Sequence, residues 1–228
     1  MSENRPADGG MFPSLQAQAT LRQRMNFAVQ HLMAAARFSR HVGRIESENV
    51  GAPFGPFFDE LLAYSSACVL SSVAALEAYA NEFFADAPQN IPNVKRPVLE
   101  QLWRLIEREP ILEKFDIALT FCGAARLDRN REPVQSVKVL IRVRNEFTHF
   151  KPEWLDDPDI HESLSKQLQG KFTPSVYRAS NIPIFPMGMA THDCTKWVIQ
   201  SCLGFAREFE RLGGFVPKFE MFEDRLIP

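Results

Sequence analysis

The stretch from Phe57 to about Ala85 constrains the fold of this 228-residue chain more than any other. It follows the turn Gly51-Ala-Pro-Phe-Gly-Pro56, and its Phe58, Leu62, Ser65, Val69, Val73, Leu76, Ala80 and Phe83 recur at steps of three and four. That is the period of one face of an α-helix. Ala63, Ala67, Ser71, Ala75 and Tyr79 form a second, mostly small-residue stripe, and small side chains let another backbone approach closely. A helix with two such stripes is packed on more than one side. Leu61 to Ala80 is also the one stretch that suggests a membrane span. It carries four Ser and Glu77, however, and runs into Asn81 and Glu82, so it reads as a buried bundle helix and no membrane partner is expected.

The other patterns are helical too. A first helix is predicted from Ser14, as N-cap, to about Val42, with Gly43 as its stop. Two shorter ones fit Val98–Glu109 and Ile111–Cys122, the second ended by Gly123. Pro133 opens a further helix at its first turn, and Lys151-Pro152 stops it. A short helix lies near Asp159–Leu168, and a last one runs from Thr191 to about Leu212, closed by Gly213-Gly214. Residues 1–12 read as a flexible arm and 13–228 as a single helical domain, long enough to bury a real core. Residues 152–190 are rich in Pro and Gly; irregular segments of that length inside compact domains usually serve function or an interface. No strand pattern occurs. The predicted fold class is all-α, a helical bundle built on long antiparallel helices with a long irregular segment before the last one.

A net charge of −2 excludes a broad electrostatic attraction to nucleic acid. RNA would need a locally basic cleft, for which 18 Arg against 8 Lys is a suitable stock. Cys68, Cys122, Cys194 and Cys202 contain no C-x-x-C pair and read as reduced small hydrophobes. With no secretory pattern in the first ten residues, a cytoplasmic location is expected.

The chemistry concentrates in Val139-Leu-Ile-Arg-Val-Arg-Asn-Glu-Phe-Thr-His-Phe150. Arg144 is a cation that keeps its proton, His149 an imidazole that can exchange one, and Asn145 an amide that can orient either. That is the minimal equipment for cleaving a phosphodiester without a metal. At about 100° per residue, Arg142, Asn145 and His149 share one helix face, flanked by Lys138 and Glu146. Arg144 lies roughly 140° around from His149. Both reach one cleft only if the long Arg side chain bends round or a second copy of the helix lies alongside. The plainer alternative is that His and Arg near a helix C-terminus bond terminal carbonyls and favour the helix dipole.

Arg144-Asn145-x-x-x-His149, at the end of a helix in an all-helical chain, resembles the signature of the HEPN superfamily (higher eukaryote and prokaryote nucleotide-binding). The resemblance covers about 60–200 in outline, and Ala74-Ala-Leu-Glu-Ala-Tyr-Ala-Asn-Glu-Phe-Phe84 also looks like an early helix of that group. It implies a metal-independent endoribonuclease, as in toxins or defence proteins, with Arg144, Asn145 and His149 catalytic and Glu77, Asn81 and Arg142 supporting. It implies RNA as partner, a homodimer whose paired motif helices build one cleft, and an antitoxin or other protein as a further partner. Glu77 and Asn81 could orient His149 or Arg144; alternatively Glu77 makes an ordinary buried salt bridge with an Arg. In one variant of the family a nucleotidyltransferase antitoxin modifies a Tyr two residues after the motif His, but here that position is Lys151. Neither cofactor nor metal is expected. Glu146-x-x-His149 is half of a di-iron carboxylate pattern without its second half, and His31, His41, His161 and His192 have no partner at catalytic or ligand spacing. His192-Asp193 reads as a polar helix entry. Residues 152–190 could wall the cleft, with Phe185 or Tyr177 stacking on a base. The competing function is a non-catalytic helical module for dimerisation and for binding RNA, nucleotide or protein.

Overall fold

Helix α2 (Phe57–Ala85) lies at the centre of the computed structural model, which describes residues 24–152, 154 and 161–228. The fold is all-α, and no strand occurs among the described residues. In chain order the remaining helices are α1 (Ala28–Glu48), α3 (Ala87–Asn90), α4 (Arg96–Ile106), α5 (Ile111–Phe121), α6 (Val134–Thr148), α7 (Glu162–Leu168) and α8 (His192–Gly213). Single 3-10 turns cover Met187–Met189 and Glu220–Arg225. The arm over 1–12 and the predicted N-cap Ser14 lie outside the described residues.

α2 packs most extensively on α1 and also touches α5, α6 and α8. It is long and apolar enough to cross a membrane by length and composition, but Cys68, Val69, Val73, Ala75 and Leu76 are fully buried against its neighbours. The two stripes read from the sequence are not equally covered. The first stripe is buried except for half-buried Leu62, whereas in the small-residue stripe Ala75 and Tyr79 are buried, Ala67 and Ser71 half-buried and Ala63 exposed. α1 runs antiparallel to α2, because Glu82 near the end of α2 accepts N–H bonds from Phe27 and Ala28 at the start of α1 (2.6 and 2.8 Å). At the other end His41 stacks on Tyr64, with centroids 5.1 Å apart.

The main core joins these helices through an aromatic cluster. Tyr79, Phe83, Phe115, Phe205, Phe209 and Phe219 meet largely edge to face at 4.7–5.7 Å, a geometry that adds to the burial of apolar area. A smaller core of Val42, Ile45, Phe58, Leu61 and Ala190 sits under the α1–α2 turn. Cys68, Cys194 and Cys202 are buried and unbridged; Cys122 is half-buried.

Gly43 does not stop α1, which continues to Glu48. Its missing side chain instead admits the His192 ring, whose Nδ1 would lie 2.7 Å from a Cβ at that position. The predicted loop after α2 contains the short α3, and α4 starts two residues early because Pro97 is tolerated in a first turn. α8 begins as read, with Thr191 Oγ1 accepting the Cys194 N–H at 3.1 Å, and ends at Gly214 with φ +66.

Candidate functional site

α6 is held by Val134, Ser136, Val137, Leu140 and Val143, all buried, against α2 and α8. Its first turn is capped by Glu132, whose Oε2 accepts the Ser136 N–H at 3.1 Å. Gly204 of α8 lets that end come close, since a Cβ there would meet Pro133 at 3.3 Å. The last turn is closed locally: Thr148 Oγ1 donates to the Arg144 carbonyl at 2.8 Å, and the His149 N–H to the Asn145 carbonyl at 2.8 Å. Neither of these bonds uses the imidazole, and the His149 side chain is exposed.

Arg142, Asn145 and His149 line one outward face, as the spacing requires, with exposed Lys138 one turn below. Arg142 Nη1 donates to Ser163 Oγ of α7 at 3.2 Å. Among the described residues no carboxylate pairs with Lys138, Arg142, Arg144 or Lys151. Phe150, which directly follows His149, is exposed. Arg144 is turned away from that face: it is half-buried, and its Nε is enclosed without a hydrogen-bond partner. A single chain does not bring Arg144 and His149 into polar contact.

The expected supporting pair on α2 is not assembled here. Asn81 accepts a hydrogen bond from Lys114 Nζ of α5 at 3.0 Å. Glu77 is half-buried, and among the described residues no hydrogen bond or ion pair joins it to an Arg, to Asn145 or to His149.

One histidine set aside on sequence stands against the end of α6. His161, 1% exposed, places Nδ1 3.7 Å from Glu146 Oε2 and Nε2 3.1 Å from the Lys151 carbonyl. A carbonyl only accepts, so Nε2 carries a proton. Phe150 and Phe185 flank the ring at 5.3 and 4.9 Å. His161 thus packs against the end of α6 and ties down the backbone at Lys151, two residues past His149. No spacing rule finds it, because the contact joins residues 15 apart in the sequence that belong to no common helix.

Residues 177–185 are anchored on the rest of the fold. Phe185, 1% exposed, is wedged beside Phe147 at 4.9 Å and cannot stack on a base as it stands. Tyr177 packs on Phe54, Phe57 and Phe58, and its hydroxyl donates to the Ala52 carbonyl at 3.0 Å. Arg178 Nη1 ties the carbonyls of Ala179 and Ile182. The expected base-stacking pair is therefore structural, and the exposed aromatic next to His149 in the chain is Phe150. Part of the predicted cleft wall, 153 and 155–160, lies outside the described residues.

No group of three or more His, Cys, Asp or Glu comes together as a metal site among the described residues. Comparison of the chain with protein-family models, curated proteins and solved structures finds no match.

Proposed function

We propose that the protein is a metal-independent endoribonuclease of HEPN type that cleaves RNA at the C-terminal end of α6. The observation that carries this reading is the outward Arg142–Asn145–His149 face, in which Asn145 and His149 are exposed, Arg142 is paired with no carboxylate among the described residues, and the exposed Phe150 follows directly. Cations for phosphate and aromatic rings for bases are what a single-stranded RNA surface needs. The substrate supplies its own nucleophile. His149 takes the proton from the 2′-OH as that oxygen attacks the adjacent phosphorus, and a second His149, from a partner chain, protonates the departing 5′-oxygen. Arg144 and Arg142 stabilise the negative charge that builds on the phosphoryl oxygens, and Asn145 keeps the phosphate in register. The products are a 2′,3′-cyclic phosphate and a 5′-OH, and DNA is inert for lack of the 2′-OH.

The reading requires a homodimer, because Arg144 and His149 of one chain diverge. The partly uncovered stripe of Ala63, Ala67 and Ser71 on α2 supplies small residues for a close two-fold contact. Light scattering at micromolar concentration should return a dimer, and a monomer would remove the composite cleft. The enclosed Nε of Arg144 favours the alternative, a helical module that binds RNA or protein without cleaving it. Incubation with total RNA in EDTA decides between them. Fragments ending in 2′,3′-cyclic phosphate, lost in a folded His149→Ala variant, support the nuclease. Intact RNA with measurable binding supports the module.

A further inference from the structure

Glu210 of α8 carries one oxygen that the fold does not use. The side chain is 4% exposed, and both of its hydrogen bonds fall on Oε1, which accepts the Tyr79 hydroxyl at 2.9 Å and the Lys218 N–H at 2.8 Å. Oε2 takes neither a hydrogen bond nor an ion pair among the described residues, and it is not enclosed. Two neighbouring cations are engaged by other acids. Lys218 Nζ lies 2.7 Å from Glu82 Oε2, and Arg207, three residues before Glu210 on α8, pairs with Glu223. An acid that only tied Tyr79 to the turn at Lys218 would need a single acceptor, which an amide also supplies. A buried carboxylate oxygen left without a partner costs free energy instead.

Glu210 stands in the wall of a hollow of about 210 Å³ between α8 and the Glu220–Arg225 turn. At about 30 Å³ per water-sized group, that is room for about seven non-hydrogen atoms. Leu203, Ala206 and Phe219 give it apolar sides. Its charged lining sets three carboxylates, Glu210, Glu220 and Glu223, against one cation, Arg207. Arg207 and Glu223 neutralise each other, which leaves Glu210 in the wall and the exposed Glu220, unpaired among the described residues. Glu210 and Glu220 act on each other: burial holds the Glu210 carboxyl above the ordinary carboxylate range and the charge of Glu220 adds to that, while the Lys218 N–H, the Tyr79 hydroxyl and Arg207 oppose it. A buried carboxylate with one free oxygen, a second negative charge beside it and apolar walls are complementary to a short alkyl chain that ends in an ammonium.

We propose that this hollow is a binding site for a short primary alkylammonium ion, with its charge on Glu210 Oε2 and beside Glu220, and its chain against Leu203, Ala206 and Phe219. None of the α6 motif residues lines it, so the proposal stands apart from the ribonuclease reading.

The test titrates the full chain at about pH 7 and constant ionic strength with n-butylammonium chloride and, separately, with 1-butanol, and follows backbone amide shifts by NMR. The two probes share a chain, and the amine stays protonated there as a lysine side chain does. The ammonium ion should bind saturably and about tenfold or more tighter than the alcohol, as expected for a charge-assisted contact. The amides it shifts should be those around the hollow, at 203–210 and 218–220. Glu210→Gln keeps an acceptor for Tyr79 and Lys218 but removes the charge. It should cut ammonium affinity about tenfold and leave the alcohol unaffected. Glu220→Gln should cut it about threefold. Equal affinity for the two probes overturns the proposal, as does a lack of saturable binding or a set of shifted amides elsewhere in the fold. Unchanged ammonium affinity in Glu220→Gln, or in a folded Glu210→Gln, overturns it equally. If Glu210→Gln does not fold, Glu220→Gln, at an exposed position, decides alone.

Discussion

Glu82 should be among the most sensitive polar positions for stability, and its effect can be worked through atom by atom. It is 8% exposed. One carboxylate oxygen accepts the N–H groups of Phe27 and Ala28 at 2.6 and 2.8 Å, two of the donors that the start of a helix leaves unsatisfied. The other lies 2.7 Å from Lys218 Nζ. The negative charge also suits the positive end of the α1 dipole. Glu82→Ala strands two donors, at about 1–3 kcal/mol for each that stays buried. It also removes the partner of Lys218, whose side chain is 24% exposed and so recovers part of that loss from water. The sum is about 3–5 kcal/mol, within the range for breaking a buried ion pair and a large part of the roughly 5–15 kcal/mol that holds a domain together. Glu82→Gln keeps a carbonyl that can accept both N–H groups and loses only the ion pair, about 1–2 kcal/mol. Urea unfolding followed by circular dichroism measures both, and Glu82→Ala should lower Tm by about 6–20 °C. An alanine variant within about 1 kcal/mol of wild type would refute the reasoning. So would a glutamine variant as damaged as the alanine one, which would make the ion pair rather than the cap the main contribution.

Two further predictions concern the candidate site and the core. Arg144→Ala should cost about 3 kcal/mol in transition-state stabilisation, read as kcat on a defined RNA. Arg142→Ala, a phosphate-positioning change, should act mainly through RNA affinity and its salt dependence; equal effects of the two on kcat would count against this division of roles. Burial pushes the Cys68 thiol up to about 12 and raises those of Cys122, Cys194 and Cys202 above the ordinary thiol range. Thiols in the unfolded chain ionise near about 8.5. The folded state therefore holds its thiol protons longer, and this contribution to stability is fully present below about pH 8. It declines as pH rises through 9 towards the folded values, by up to about 1.4 kcal/mol per unit for each thiol that has ionised only in the unfolded chain. Unfolding curves between pH 7 and 10 should show the decline, and Cys68→Ser, Cys194→Ser and Cys202→Ser together should flatten it.

The parts of the fold that were legible in the sequence are those written in local punctuation. α2 runs from Phe57 to Ala85 as its periodicity and flanking Gly and Pro require, and α6 begins after Pro133 as read. What was not legible depends on contacts distant in sequence. Gly43 has the look of a helix stop, and only the position of His192 explains why it lies within α1. Asn81 sits one turn from Glu77, as a supporting pair should, but its partner is Lys114, which no periodicity could nominate. Phe185 has the composition of a base-stacking residue and the burial of a core plug. Of the motif, the Arg142–Asn145–His149 face was readable from helix geometry, and so was the divergence of Arg144. The place of His161 beside Glu146 and the Lys151 carbonyl was not, because no helix period relates those positions.

The small core beneath the α1–α2 turn has a consequence for the order in which the chain can be completed. Val42, Ile45, Phe58 and Leu61 belong to the first two helices, yet the cover of that core includes Tyr177, Met187 and Ala190. The Tyr177 hydroxyl reaches the Ala52 carbonyl across 125 residues. On the ribosome the α1–α2 hairpin can form from local contacts as soon as it emerges. Its apolar turn then stays uncovered while more than a hundred further residues are made, and only the arrival of residues 177–190 closes it. A transiently exposed apolar surface of that kind is what chaperones bind and what drives aggregation. Nascent chains arrested before Ala190 should be the sticky ones, and the release of that surface should coincide with synthesis of α8.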